Sequence, residues 1–375
     1  MAAKNIHSSM KDSLISFSHD VYREIDGTGS ACVSPYIIIS SLLMLMVGTR
    51  GTSKTQIKSA ILNSDWNNDE IFLQFHNLSG RVFSATDNEL NIATKLFVKN
   101  GLTVTSDVRN IAITYFDADI GYQNFENSVM SALTMNLYVA NRTNDKITDL
   151  IKSSWLSRLT VMVLVNAVYF KGTWETQFDP INTQKEDFFF TIENTMTVDM
   201  MTMEHYARYY NDERFSAIAL PYKGKQYEMV IVLPRKIDGL NALKNYFSSA
   251  IAKTIDLGSF NIPLLVKIPK FTLETRTDLK VLFQKLGITD IFKPGIADFS
   301  NLVQQIQMEM FVSEARHKVV IEVNEEGTEA SAGTAIVVTR NSTLTQFVAN
   351  HPFLFYIRHR QTGLILFIGH YSPKR

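Results

Sequence analysis

One cysteine, Cys32, stands in 375 residues, so no intramolecular disulfide can form, which fits a reducing compartment. A surplus of charge is also missing. Lysine plus arginine and aspartate plus glutamate each number 37, so no long-range field of either sign points to nucleic acid or to an anionic membrane. No Pro/Gly/Ser-rich linker, charge run or internal repeat marks a seam between domains, and one domain spanning 1–375 is expected. The most apolar stretch, YIIISSLLMLMV at 36–47, is too short to cross a bilayer. Catalytic signatures are absent as well: there is no glycine-rich phosphate loop, no G-x-S-x-G elbow and no zinc-type spacing among the eight histidines. Neither an enzyme nor a metal or other cofactor is expected.

What is present is core-forming material. Hydrophobic residues make up 45% of the chain, with 24 Phe and 14 Tyr, ample for one large core. Ile6, Met10, Leu14, Phe17, Val21 and Ile25 recur every three or four residues and predict an amphipathic N-terminal helix. Ser34 and Pro35 start the apolar 36–47 stretch as a buried helix, and Cys32 just before it reads as a plain core residue. Helices alternate with a few strands from 50 to 160. Beyond 160, runs such as VMVLVNAVYF (161–170), YEMVIVL (227–233), LLVKIPKF (264–271) and GLILFIGHY (363–371) read as strands. The expected class is α+β. His317, heading the strand pattern HKVVIEV, reads as a structural histidine rather than a base.

One segment fits none of these. NEEGTEASAGTAIVVTRNST, Asn324 to Thr343, joins a charged turn, the smallest residues, a β-branched run and a lone arginine. Read as a strand, it places Thr328, Ala330, Ala332, Thr334, Ile336 and Val338 on one uncharged face, and Glu329, Ser331 and Gly333 on the other. Small residues on that face can pass between existing strands without steric or desolvation cost, and Gly327 frees the backbone at the base. A surface loop rich in Ala, Gly and Ser is the plainer reading. The Ile-Val-Val run argues against it.

This segment resembles the reactive-loop hinge of serpins, from Glu325 through Thr334, and the likeness runs over almost the whole chain. Similar blocks include Ser34-Pro35, NRTNDKITDLI (141–151), NAVYFKGTWETQF (166–178), LPYKGKQYEMVIVLP (220–234), IPKF (268–271), LGITDIF (286–292), HPFLFYIRH (351–359) and Ser372-Pro373. The resemblance implies a serpin fold of about eight to nine helices and three β-sheets, with an exposed reactive-centre loop at about 325–345. It also implies a suicide-substrate mechanism. A protease acylated by the loop is carried along as the cleaved loop enters the large sheet as a new strand, and is distorted before it can deacylate.

Counting from Glu325 and back from Pro352 at family intervals places the cut between Asn341 and Ser342. Side-chain chemistry favours Arg340–Asn341, because an arginine reaches the carboxylate of a trypsin-like pocket. A trypsin-like serine protease is therefore the expected partner. The alternatives are an asparagine-specific cysteine protease cutting after Asn341, an elastase-like cut after Val338 or Thr339, and a non-inhibitory serpin acting as carrier or chaperone. The Asn341 sequon is expected to be unoccupied.

By position, Ser34, Asn166 and His317 resemble the polar gate beneath the point where the large sheet opens, and Trp174 the indole where the hinge first enters. Two residues depart from the family pattern. Ile37 replaces a serine beneath the sheet, so the gate's hydrogen bonds must be rebuilt or simplified, and Asp145 replaces a glycine. No basic cluster between 56 and 90 suggests a heparin site, and a monomer is expected. The chain starts directly at its first helix and ends on Ser-Pro-Lys-Arg, similar to the ovalbumin-like branch. A cytoplasmic location, or secretion without a signal peptide, is expected, with extracellular residence left open.

Overall fold

The computed structural model of the protein describes residues 2–25, 29–62, 66–82, 88–305, 308–326 and 344–373. In its first part the described elements are α1 (Ala2–Glu24), β1 (Ala31–Val33), α2 (Pro35–Gly48), α3 (Gly51–Ile61), α4 (Asn68–Val82), β2 (Glu89–Lys99), α5 (Ser106–Phe116), β3 (Asp119–Gln123) and α6 (Ser128–Arg142). Then come β4 (Met162–Lys171), β5 (Gln184–Phe189), β6 (Thr195–Asn211), β7 (Phe215–Pro221), β8 (Tyr227–Pro234), α7 (Leu240–Tyr246), α8 (Ser249–Gly258), β9 (Phe260–Pro269) and β10 (Phe271–Asp278). The order closes with α9 (Leu279–Lys285), β11 (Val312–Val323), β12 (Thr345–Val348), β13 (Phe353–His359) and β14 (Ile365–Tyr371). Nine α-helices among the described residues, with strands concentrated after 160, match the α+β expectation.

One five-stranded sheet runs in the order β10-β11-β4-β2-β3. Eight of the other nine described strands form a continuous path, β1-β14-β13-β8-β7-β6-β9-β12, with β5 beside β6, and that path turns within β6. The N-terminal part of β6 pairs with β5, most of its length pairs with β9, and only Arg208–Asn211 pair with β7. The path is thus two sheets sharing one seventeen-residue strand, which with the five-stranded sheet makes three.

Strand β4 shows why the large sheet is built as it is. All of its residues except the last are buried, because both faces are covered. Leu164, Val168 and Phe170 pack into the main core with α2. Their neighbours Val163, Val165, Ala167 and Tyr169 join a second core made with Ala132, Met135 and Val139 of α6. A strand covered on both sides reads as an unbroken apolar run, which is why VMVLVNAVYF carries a single polar side chain at its centre, Asn166.

Helix α2 is buried along its whole length, as an all-round apolar helix must be. Ser34 caps it: its Oγ accepts from Ile37 N at 3.5 Å, and Pro35 occupies the first turn. Helix α6 ends in two left-handed residues, Asn144 (φ 49°) and Asp145 (φ 60°). The Asp145 N–H donates back to Ala140 O at 2.9 Å, a helix-ending geometry that favours glycine. Asp145 therefore occupies the very place where its family departure costs backbone energy.

Candidate functional site

The polar centre of the large sheet lies where β4 and β11 meet. The two strands are parallel, and the register sets His317 directly beside Asn166, both fully buried. Helix α2 supplies their partners. The Ser34 N–H donates to His317 Nε2 at 3.1 Å, and Ser34 Oγ donates to Leu366 O at 2.6 Å. Because Nε2 accepts a backbone N–H, the ring is neutral and carries its proton on Nδ1. Burial holds the His317 pKa down to about 3, with the Asn166 backbone opposing only in part. Ile37, 3% exposed, offers no hydroxyl here. Instead the Asn166 amide donates to Ser41 Oγ at 2.6 Å, and Ser41 Oγ donates to Ile37 O at 2.6 Å. The network is rebuilt one helical turn further along.

A second cluster sits at the end of β11, against Asn324, Glu325 and Glu326. Trp174 is 2% exposed and stacks on Tyr222 at 4.5 Å between ring centres, and its Nε1–H donates to Asn324 O at 2.8 Å. The next residue, Glu325, is 6% exposed. Its carboxylate meets Lys270 Nζ at 2.8 Å and accepts from Thr183 Oγ1 at 2.9 Å. Partial burial pushes this carboxyl up, but Lys270, its own backbone N–H and Thr183 together hold it below the ordinary glutamate range. Glu326 pairs with Lys171 at 2.5 Å.

Between these clusters the chain after α6 is strapped to the sheet. Asn136 Oδ1 accepts from Leu150 N and Ile151 N, each at 2.9 Å, while Ile147, Leu150 and Ile151 fill the second core. Asp149 then reaches Lys318 Nζ on β11 at 2.5 Å and also pairs with Arg276 on β10. Lys318 is 2% exposed and keeps a second partner, Glu274, at 2.7 Å.

The structure thus brings Ser34, Asn166 and His317 into one network, and places Trp174 against the residues leading into the hinge. Gly327, Thr328, Glu329, Ala330, Ser331, Ala332, Gly333 and Thr334, and the bonds Arg340–Asn341 and Asn341–Ser342, lie outside the described residues. Four residues were not singled out from sequence: Ser41, Thr183, Lys270 and Lys171. Lys270 stood inside the IPKF block, and Ser41 lies four residues from Ile37, hence on the same helix face. Those were the available signals.

Elsewhere, an open cavity of about 810 Å³ is bordered by Arg208, Arg358 and Arg360. All three meet the buried Glu228, and Arg358 also pairs with Asp256 at 2.5 Å, so each of these guanidinium groups already has a carboxylate partner. Among the described residues no group of three or more His, Cys, Asp or Glu is placed to hold a metal, and no helix is long and apolar enough to cross a membrane.

The profile described as "Serpin (serine protease inhibitor)" matches residues 12–373. The chain belongs to the serpin family. It is 34% identical over 369 residues to the leukocyte elastase inhibitor of Xenopus tropicalis, covering 95% of this chain and 97% of that one. Its fold superposes on native protease nexin-1 with heparin at a TM-score of 0.91 and 28% identity, covering 98% of this serpin and all of that chain. Uncleaved ovalbumin gives a TM-score of 0.89 at 24% identity, over 96% and 99% of the two chains, a likeness of fold alone.

Proposed function

We propose that this serpin is an inhibitor, working as a single domain over 1–375, that traps a trypsin-like serine protease as an acyl-enzyme after attack at Arg340–Asn341. The observation that carries the reading is the parallel seam. Strand β11 faces β4 from Val312 to Glu322, and residues 325–345, the reactive loop on this reading, follow directly from the end of β11. A chain returning from that end runs antiparallel to β11. To lie beside it on the β4 side it must enter the seam, replacing one parallel pairing by two antiparallel ones, the slightly more stable kind. Burying Ile336 and Val338 adds roughly 1.5–3 kcal/mol each. No bulky or charged side chain stands on the entering face of the hinge.

Ser34, Asn166 and His317 act on this reading as the gate of the seam, and Trp174 with Glu325 as the place where the hinge is held until it enters. The protein then works as a substrate that arrests its protease, not as an enzyme, and as a monomer in a one-to-one complex. A carrier role has less support, since the open cavity bordered by Arg208, Arg358 and Arg360 has a charged rather than an apolar lining.

The test is to mix the protein with trypsin in near-equal amounts. A covalent adduct on a denaturing gel, with a released peptide beginning at Asn341, supports the reading. A peptide beginning at Ser342, formed with an asparagine-specific cysteine protease, moves the bait to Asn341. Cleavage by both enzymes with no adduct and no gain in melting temperature refutes inhibition. Thr328→Arg is expected to leave cleavage intact while abolishing the adduct, because a buried unpaired charge halts entry. Adduct formation at the parental stoichiometry would count against the seam as the point of entry.

A further inference from the structure

Two serines in the middle of α2 interrupt its apolar run, and they point to different neighbours. Ser40 Oγ donates to Phe116 O at 3.1 Å, at the end of α5. Ser41 Oγ, fully buried, lies between Ile37 O and the Asn166 amide, each at 2.6 Å. A serine inside a helix is ordinarily satisfied by the backward bond alone. The second bond ties α2 to another element 125 residues away in sequence.

We propose that Ser41 is the positioning residue that keeps the β4 side of the seam shut, through Asn166, in place of a hydroxyl that Ile37 does not supply. Ser34 fastens α2 to β11 through His317, and Ser41 fastens the same helix to β4. One rigid helix thereby holds both strands. Since α2 is buried from end to end, it cannot follow one strand outward without unpacking. Among the described residues the Asn166 side chain makes no other hydrogen bond. Removing the Ser41 hydroxyl therefore leaves a buried amide without a partner. In an opened seam that amide meets water or the backbone of an entering strand, so the loss falls on the closed state. The effect on protease trapping rests on the inhibitor reading, whereas the effect on the closed seam does not.

The experiment is hydrogen exchange on the uncleaved protein for Ser41→Ala, Asn166→Ala and the double variant. Amides of β4 and β11 are followed, with β14 as internal reference. The expected result is about tenfold faster exchange at the seam in Ser41→Ala, with β14 unchanged. The double variant should be no faster than the faster single one, since both break the same bond. Adding Ile37→Ser to Ser41→Ala should restore much of the protection, because position 37 lies one turn away on the same face. Parental seam exchange in Ser41→Ala, or effects of the two single variants that simply add, would overturn the proposal. If Ser41→Ala yields no soluble protein, Ser41→Cys replaces it as a weaker acceptor of similar size, judged by the same criteria. No protease enters this measurement, so cleavage by both proteases without an adduct would refute the inhibitor reading and leave this result standing.

Discussion

The proposed gate of the seam and the proposed base of the hinge lie along β11 but are held by different chemistry. At the gate, His317 and Asn166 are fully buried, neutral and fixed by hydrogen bonds to Ser34 and Ser41. At the hinge base, Glu325 and Glu326 are fixed by the ammonium groups of Lys270 and Lys171, whose side chains are 47% and 31% exposed. Neutral buried bonds are indifferent to salt and, at the imidazole, sensitive to protonation, whereas the half-exposed ion pairs respond to salt and give way to protonation only when acid reaches their lowered carboxyl pKa values. The same protein therefore carries two restraints that solution conditions can loosen separately.

Acid gives the largest separation. His317 has its folded pKa lowered to about 3, and His19, buried against Phe247, to about 4. For a histidine whose folded pKa is depressed, stability is intact above the unfolded value and falls as pH drops below it, because only the unfolded chain takes up the proton. Between pH 7.5 and pH 5 each should cost about 2 kcal/mol. Denaturant midpoints of the uncleaved protein at the two pH values check this, and His317→Gln should remove about half of the difference.

Next comes Lys270→Ala, which leaves the buried Glu325 carboxylate with Thr183 but without its cation. A loss of about 1–3 kcal/mol is expected. The variant should also lose sensitivity to added salt, measured as melting temperature at low and high ionic strength. An unchanged salt response would mean that the clamp at the hinge base is not electrostatic. Asp149→Ala sits between the two regions. It frees the strap from β10 and β11 but leaves Lys318 paired with Glu274, so roughly 1 kcal/mol is expected, seen as faster proteolysis of residues 143–156. The smallest effect has the opposite sign. Asp145→Gly relieves a left-handed residue and should stabilise the protein by about 0.5–1 kcal/mol, raising the melting temperature without touching either restraint.

Much of this architecture is written in local pattern. The run at 161–170 reads as a strand and contains Asn166. The run at 36–47 reads as a helix, and Ser34-Pro35 as its start. Both follow from periodicity and capping, which act over a few residues. The partner of Asn166 was not legible in the same way, because Ser41 reaches it only once a helix and a strand far apart in sequence are packed together. Ile37 signalled that something had to change at the gate, while the replacement lay in a residue that looked like an ordinary interruption of an apolar helix. Lys270 is a similar case: its block was recognisable as a unit, but its bond to Glu325 spans 55 residues and two sheets. His317 reads from sequence as the head of a strand. It lies in the middle of β11, which begins at Val312, because SEAR contributes charged side chains that pair outside the core, Arg316 with Asp278 and Glu314 among them.

The two described ends that flank residues 327–343 belong to different sheets. Glu326 continues β11, while Leu344 leads into β12, a four-residue strand at the edge of β9. On the proposed reading, a cut between them would separate two arms that start from different strands. The arm continuing from β11 can close a hairpin on its own strand, whereas the arm leading into β12 has only a short parallel edge to return to. On the proposed mechanism the acyl bond is made to the carbonyl of the residue before the cut, so it is attached to the first of these arms. On that reading the direction of travel follows from chain polarity, before any difference in strength between the two sheets comes into play.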